Sequence, residues 1–202
     1  FIFLLISLLF AYYFQKNFIP SEDASILFRY AENLADTGVI TYNLNGSPTE
    51  GATDFLWMVI LSLFYLIGFN TYFASIFLNL LSLYLIVKLL QKYYSLSKID
   101  FYLIFFFHFT LTQTYSAIAG FSVLFVELIL ILVLINFLKQ KIFLILFFSF
   151  IGCLVRPDFI LFIIIPNLIN LIKNFNLKTI RLYIIFFIFG LVYFFLRYNY
   201  FE

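Results

Sequence analysis

Two adjacent carboxylates, Glu22 and Asp23, are the residues of this chain best suited to acid–base chemistry. They open the polar stretch PSEDASILFRYAENLADTG at residues 20–38, which interrupts a sequence made mostly of phenylalanine, leucine and isoleucine. A carboxylate held at an apolar boundary is desolvated, so its proton affinity rises and it can accept a proton from a hydroxyl group. The pair could equally do no more than stabilise the positive end of a helix dipole. The residues alone leave both interpretations open.

A second chemical group is the Arg-Pro-Asp turn at residues 156–158, which separates two short apolar runs, 142–155 and 159–172. At a membrane boundary, the planar guanidinium of Arg156 could hold a phosphate group through two parallel hydrogen bonds. The alternative is a structural turn in which Arg156 reaches toward water and pairs with Asp158. Both interpretations stay open, and Arg156 and Asp158 are candidate substrate-binding residues.

Other residue types point to fewer chemistries. Glu127 is the one acid deep in an apolar run, and an ionisable residue there is a functional candidate unless it neutralises a basic neighbour. His108, in FFFHFT, is more typical of a hydrogen-bonded interior histidine than of a metal ligand. With one histidine, one cysteine and no HExxH spacing, the sequence gives no support for a zinc site. It also contains no P-loop and no dinucleotide-binding fingerprint, which argues against a nucleotide-driven pump.

Local signals predict that the acidic pair begins a helix running from Ser21 to Thr37. Ser21 is a good N-cap, acids suit the first turn, and Gly38 is typical of the position after a helix end. A helical wheel separates an apolar face from a polar face, which indicates an amphipathic helix on a membrane surface. Asp23 is the exception, because it points toward the membrane side, and the wheel therefore favours Asp23 as the base. The predicted apolar face comprises Ala24, Ile26, Leu27, Phe28, Tyr30, Ala31, Leu34 and Ala35, and the polar face comprises Glu22, Ser25, Arg29, Glu32, Asn33 and Asp36.

The rest of the chain is apolar enough to predict an integral membrane protein. Of its 202 residues 65% are hydrophobic and only 11% are charged, whereas about half of a soluble domain is apolar. A membrane-spanning helix needs about 20 mostly apolar residues. The net charge of +2 is too small to suggest a nucleic-acid partner. The candidate segments are residues 1–14, 53–69, 71–90, 99–112, 120–138, 142–155, 159–172 and 180–195.

Basic residues predict which loops face the cytoplasm, since short loops rich in lysine and arginine tend to stay there. They gather in alternate loops, which places residues 112–119 and the turn at 156–158 outside. The side of the loop at residues 15–52 depends on segment 53–69. That loop is cytoplasmic if the segment spans the membrane, and external if the segment lies along the outer leaflet. The basic loops contain Lys88, Lys92 and Lys98, then Lys139 and Lys141, then Lys173, Lys178 and Arg181.

The polar loop resembles a known family. Residues 22–57, EDASILFRYAENLADTGVITYNLNGSPTEGATDFLW, are similar to the first external loop of bacterial C-type glycosyltransferases, and most like their arabinofuranosyltransferase-like and mannosyltransferase-like members. These are multi-pass enzymes that take sugars from polyprenyl-phosphate donors. In that family an acidic pair opens a juxtamembrane helix with the pattern Phe-Arg-Tyr-Ala, matched by residues 28–31. A Glu-Gly-x-Thr-Asn-x-Leu-Trp motif follows, matched by residues 50–57 with Asp54 in place of asparagine. The turn at 156–158 resembles a further Arg-Pro-acid turn of the family.

The resemblance implies an all-α, polytopic fold with about seven transmembrane helices and two juxtamembrane helices in the external loop at residues 15–70. Segment 53–69 would then be the second juxtamembrane helix, and the acidic loop would face outward. The positive-inside distribution agrees with that arrangement throughout. We interpret residues 1–202 as one membrane domain, the N-terminal part of a longer protein.

The resemblance also implies roles for individual residues. By family position Glu22 corresponds to the usual catalytic aspartate and is longer than it by one methylene. The helical wheel favours Asp23 instead, and the conflict stays open. Arg156 would hold the donor phosphate, while Arg29 is the lesser phosphate-binding candidate because Glu22, Glu32 or Asn33 on the same helix could pair with it. The other implied substrate-binding residues are Tyr30, Glu50, Trp57 and Asp158.

One departure bears on activity. Family members often carry Gly-x-Glu after the third span, but this chain reads AIAGFSVLF there, with Ser122 where the acid is usual. We expect a transferase that moves a sugar, with inversion, from a polyprenyl-phosphate donor to a glycan, lipid or protein acceptor at the outer face of a bacterial plasma membrane. The reaction is expected to need no metal, with a divalent cation as the open alternative. The alternatives are a non-enzymatic flippase or transporter component for lipid-linked sugars, and an inactive relative.

Overall fold

The structure is a computed structural model that describes residues 2–44, 46–109 and 112–202. The predicted all-α class is confirmed, because these residues form helices and no β-strand. In chain order the helices are α1 (Ile2–Asn17), α2 (Glu22–Thr37), α3 (Phe55–Leu66), α4 (Thr71–Tyr94), α5 (Lys98–Phe109), α6 (Thr112–Ile118), α7 (Val123–Leu138), α8 (Ile142–Val155), a 3-10 turn (Pro157–Phe159), α9 (Ile160–Lys173) and α10 (Leu177–Phe201).

Helix α2 has the boundaries that its capping residues predict. The Ala24 amide donates to the Ser21 hydroxyl at 3.3 Å, which satisfies one of the free N–H groups of the first turn. Gly38 closes the helix in the left-handed conformation, with φ 73°, and its amide donates to the Leu34 carbonyl. Glu22 and Asp23 lie in the first turn, as expected.

Each predicted apolar segment contains a helix over its described residues, which leave out residue 1 and residues 110–111, and the helix lengths differ. Helices α4 and α10, with 24 and 25 residues, are long and apolar enough to cross a membrane. Helices α3, α7 and α8 are apolar but have 12, 16 and 14 residues, fewer than the roughly 20 of a typical span. Length and composition therefore identify two candidate spans among the described residues.

Helices α7 and α4 organise the packing. Helix α7 lies against α4, α6, α8 and α9, and α4 also contacts α1, α3 and α5. The centre of the core is formed by fully buried side chains of α3, α4 and α8, among them Trp57, Leu61 and Ile145. Helix α10 packs mainly on α8 and leaves most of its apolar surface exposed.

Turns with basic residues gather at one end of the helices, which we call the basic end. The Lys139 ammonium lies 5.3 Å from the ring of Tyr93, which joins the α7–α8 turn to the end of α4. The Asn174 side chain donates to Gln140 at 2.9 Å, which joins the α9–α10 turn to the same place. The loops that were predicted to share one side therefore lie together.

The connections before α2, α3, α7 and α9 meet at the opposite end, which we call the loop end. The Ser21 amide donates to the Ala119 carbonyl at 2.9 Å, so the start of α2 lies on the α6–α7 turn. This turn needs Gly120, which has φ 106° and whose added Cβ would lie 2.8 Å from atoms of Ala24 and Phe28. The acidic pair is thus carried to the turn that precedes Ser122.

The apolar face of α2 packs on protein, chiefly on α3 and also on α4. Ala24, Phe28 and Ala31 are buried there, as their predicted face requires. Asn33 corrects the wheel, since it is buried although it was predicted on the polar face. Its amide nitrogen donates to the carbonyls of Thr41 and Tyr42, both at 2.8 Å, and this fixes the chain that leaves α2.

A chain of polar side chains joins α8, α9 and α10. The Asn167 amide donates to the Ser149 hydroxyl at 3.0 Å. The Tyr183 hydroxyl donates to the Asn167 carbonyl at 2.8 Å and accepts from the Asn170 amide at 3.2 Å. Asn170 is fully buried. Polar groups in apolar surroundings are stable only when they are paired, so these bonds hold α10 on its neighbours.

Replacing Tyr183 by phenylalanine removes this central hydroxyl while keeping the ring. We expect the free energy of unfolding to fall by about 1 kcal/mol, the size of a hydrogen bond between apolar helices. Unfolding of the purified protein in detergent measures the effect. Tyr102→Phe is the matched control, because Tyr102 is 69% exposed; equal stability of the two variants would contradict the role given to the Tyr183 hydroxyl.

Candidate functional site

Four polar residues from three separate connections meet at the loop end. We call Asp54, Ser122, Arg156 and Asp158 the loop-end cluster. The Ser122 hydroxyl donates to Asp54 Oδ2 at 2.6 Å. Arg156 Nε lies 3.9 Å from Asp54 Oδ1 and donates to Asp158 Oδ1 at 3.2 Å. A hydroxyl, a guanidinium and two carboxylates therefore form one connected group.

The side chains of Asp54 and Ser122 do not make the hydrogen bonds that are usual at their positions. They occupy the N-cap positions of α3 and α7, and neither side chain caps its own helix. Aspartate and serine are among the best N-caps, yet here they bond to each other across the two helix starts. The positive ends of two helix dipoles consequently lie at this pair and favour an anion there.

Arg156 is held at the cluster by the packing of the turn that follows α8. The buried ring of Phe159 lies against Gly152, and an added Cβ on Gly152 would collide with that ring. The absence of a side chain on Gly152 therefore lets the 3-10 turn fold back on α8. This fixes the backbone on both sides of Arg156 and Asp158.

Burial sets the electrostatics of the cluster. The side chain of Asp54 is 13% exposed, against 53% for Asp158. Desolvation raises the pKa of Asp54, and the hydrogen bond from Ser122 and the charge of Arg156 oppose that rise only in part. The protonated form of Asp54 is therefore favoured relative to that of an aspartate in water.

Arg156 keeps part of its binding capacity. Its Nε serves Asp158, and among the described residues no group accepts a hydrogen bond from its two terminal nitrogens. The side chain is 36% exposed. Such a guanidinium can bind a carboxylate or a phosphate from the open side through two parallel hydrogen bonds.

Glu50, predicted to bind substrate, precedes Asp54 in the same connection and is bonded to α10. Its carboxylate pairs with Arg197 at 2.8 Å, and Arg197 also donates to the Ala52 carbonyl at 3.4 Å and the Tyr193 hydroxyl at 2.8 Å. The Ile40 amide donates to the Tyr200 hydroxyl at 2.9 Å. The end of α10 thus fastens the segment that leads to Asp54.

The acidic pair lies at the same end of the molecule, with both side chains exposed. The helical wheel predicted that Asp23 points toward an apolar boundary. No protein group in the described part of the chain covers its side chain, which is exposed. Arg29 forms no ion pair or hydrogen bond among the described residues. Two of its three expected partners are engaged elsewhere, because Glu32 accepts from Thr71 at 2.8 Å and Asn33 binds backbone carbonyls. The third, Glu22, is exposed.

Tyr30 and Trp57, the two aromatic candidates, are buried. Tyr30 is 5% exposed and lies under Gly51, whose added Cβ would meet its hydroxyl. Trp57 is fully buried, with its ring centre 5.2 Å from that of Phe125. Its indole nitrogen has no hydrogen-bond partner among the described residues. Both rings are therefore part of the packing around residues 50–57.

Glu127 and His108, singled out separately in the sequence, form a pair. His108 Nε2 lies 3.0 Å from the Glu127 carboxylate, and the side chains are 17% and 24% exposed. Glu127 thus pairs with a basic neighbour, one of the two interpretations that the sequence left open, and the pair joins α5 to α7. It is separate from the loop-end cluster.

Sequence reasoning missed Asp54, Ser122 and Arg197 as site residues. The available signal was that Asp54 and Ser122 are two of the positions at which the sequence departs from the expected family motifs, and their side chains are in direct contact. Arg197 gave no signal, because its partner Glu50 lies 147 positions away in the chain.

Comparisons with protein-family models, with curated proteins and with solved structures gave no match to this chain.

Proposed function

We propose that this protein is an integral-membrane glycosyltransferase that moves a sugar from a polyprenyl-phosphate donor to a glycan, lipid or protein acceptor. The observation that supports it best is the convergence of Arg156 with Asp54 and Ser122 at the end of the molecule that also carries Glu22 and Asp23. A phosphate-binding cation and candidate bases on one face are what this transfer requires.

Each residue then has a defined role. Glu22 or Asp23 accepts the proton of the acceptor hydroxyl while its oxygen attacks the anomeric carbon of the donor sugar. The bond from that carbon to the phosphate oxygen breaks, and the released phosphate carries the extra charge. Arg156 stabilises this charge through its terminal nitrogens. Attack opposite to the leaving phosphate inverts the anomeric configuration.

The contact between Asp54 and Ser122 favours an active enzyme over an inactive relative. The family pattern carries an acid near position 122 and an amide at position 54, whereas this chain has a hydroxyl and a carboxylate. Because the two side chains are 2.6 Å apart, the exchange leaves one carboxylate and one hydrogen-bonding neutral group at the same place. The site therefore keeps the same kinds of group, with the carboxylate and the neutral group at exchanged positions.

The proposed setting is the plasma (inner) membrane, crossed several times, with the loop end outside. The clustering of lysines at the basic end supports this orientation, and the exposed apolar surface of α10 suits lipid. Helices α2 and α3 serve as the juxtamembrane pair, which agrees with the 12-residue length of α3.

The orientation predicts an accessibility pattern. In a Cys153→Ser background, a cysteine introduced at Asn43 is expected to react with a membrane-impermeant maleimide added to intact cells. Cysteines at Gln140 or Asn176 are expected to react only after the cells are opened. All three positions are exposed, so reaction of Gln140→Cys in intact cells would contradict the proposed orientation.

Incubating membranes that contain the protein with a panel of radiolabelled polyprenyl-phosphate sugars tests the function. We expect label to move from at least one donor to a new product, and membranes without the protein should show none. Failure with every donor of the panel would contradict the proposal.

A lipid-linked sugar flippase or transporter component is the rival. A transport path needs polar groups open to its cargo at mid-membrane depth. In the described residues, the polar groups of α8, α9 and α10 bond to one another, which suits helix packing better than a path.

A further inference from the structure

The charges of the loop-end cluster do not suit an anionic ligand as they stand. Arg156 supplies one positive charge, and Asp54 and Asp158 supply two negative charges when ionised. A donor phosphodiester brings another negative charge to the terminal nitrogens of Arg156. That charge and the two carboxylates repel one another, and the repulsion is stronger where water is excluded. Binding is therefore favoured if one carboxylate loses its charge.

The charge of Asp158 repels an incoming anion less than the charge of Asp54 does. The side chain of Asp158 is 53% exposed, so water screens its charge and the side chain can turn away from an incoming anion. Asp54 has neither option. It is 13% exposed and tied by a 2.6 Å bond to Ser122, with its other oxygen directed to Arg156.

We infer that Asp54 is a positioning residue that faces the guanidinium of Arg156 at 3.9 Å in the free protein and takes up one proton from solution when a phosphodiester occupies Arg156. The inference rests on the proposed function. Ser122 keeps the Asp54 carboxyl in place in both states, because a hydroxyl can donate to the carboxylate and can accept from the protonated acid.

The surroundings of Asp54 support this role. The charged groups that face it are Arg156, at the end of α8, and Asp158, in the 3-10 turn. On its own connection, Thr53 donates to Oδ1 at 3.4 Å. Burial already raises the pKa of Asp54 in the free protein, and an anion on Arg156 both weakens the effect of the Arg156 charge, which opposes that rise, and adds a repelling charge. The bound state therefore raises that pKa further.

Binding of methyl farnesyl phosphate to the purified protein in detergent tests the inference. This phosphodiester keeps a single negative charge near neutral pH, so a proton taken up on binding belongs to the protein. Calorimetry in two buffers with different heats of ionisation counts that proton in the unmodified protein. Between the free-state and bound-state pKa values of Asp54, we expect the affinity to fall about tenfold per pH unit as the pH rises.

Two variants locate the proton. Asp54→Asn is expected to bind without proton uptake and with an affinity independent of pH, while Asp158→Asn keeps the slope. A wild-type affinity that does not change with pH, a slope that persists in Asp54→Asn, or no binding of the probe would overturn the inference.

The sugar-transfer assay separates this inference from the proposed function. Transfer without proton-coupled binding removes this inference alone, and proton-coupled binding without transfer from any donor removes the proposed function alone.

Discussion

Replacing Arg156 by alanine is expected to lower kcat/KM for sugar transfer by about 10²–10³-fold, the usual cost of removing one preorganised group that stabilises developing charge. The terminal nitrogens of Arg156 are the open cationic donors of the loop-end cluster. Charge grows on the phosphate as the sugar leaves, so most of the loss should appear in kcat rather than in KM. Initial rates across donor concentrations measure both.

Arg181→Ala is the matched control for this result. Arg181 is an exposed arginine near the start of α10 at the basic end, so its removal should leave the rate within a factor of about two. Arg156→Lys should recover only part of the activity, because an ammonium cannot form two parallel hydrogen bonds with a phosphate. A rate for Arg156→Ala equal to that of the wild type would remove Arg156 from the mechanism.

The second large effect is expected from the acidic pair. Either Glu22→Gln or Asp23→Asn should lower kcat by about 10²–10⁴-fold, the contribution of a general base. The other substitution should change it little, because only one carboxylate can lie opposite the leaving phosphate. Comparing the two rates at equal expression identifies the base, and so decides between Glu22, which the resemblance favours, and Asp23, which the helical wheel favours.

Asp36→Asn provides the comparison for this pair, since Asp36 is an exposed carboxylate on the same helix. It should retain full activity. If the Glu22 and Asp23 variants also retain it, the pair serves only the dipole of α2, and Asp54 becomes the carboxylate to test as base.

Local sequence signals predicted the helices well because each depends on nearby residues. Ser21 and Gly38 define α2 through bonds to atoms three and four positions away. The two runs on either side of residues 156–158 became α8 and α9, since proline at 157 starts a new turn. The lysines also predicted which turns lie together at the basic end, because basic residues occur in alternate connections along the chain.

The site was harder to predict, since its contacts join distant parts of the chain. Asp54 and Ser122 are 68 positions apart, and each reads as an ordinary helix cap. That neither side chain caps its own helix depends on how α3 and α7 approach each other, which no local pattern encodes. Asn33 was misassigned for a related reason. Its wheel position is polar, but a returning loop covers it and supplies two carbonyl acceptors.

The most direct test of the central claim is transfer in reconstituted vesicles that contain the purified protein. The same sample receives a labelled polyprenyl-phosphate sugar and an acceptor, and both product formation and movement of the lipid across the membrane are recorded. We predict that product forms with wild-type protein, is lost with Arg156→Ala, and appears without protein-dependent lipid movement. Lipid movement without product, unchanged in Arg156→Ala, would contradict the account and identify a flippase.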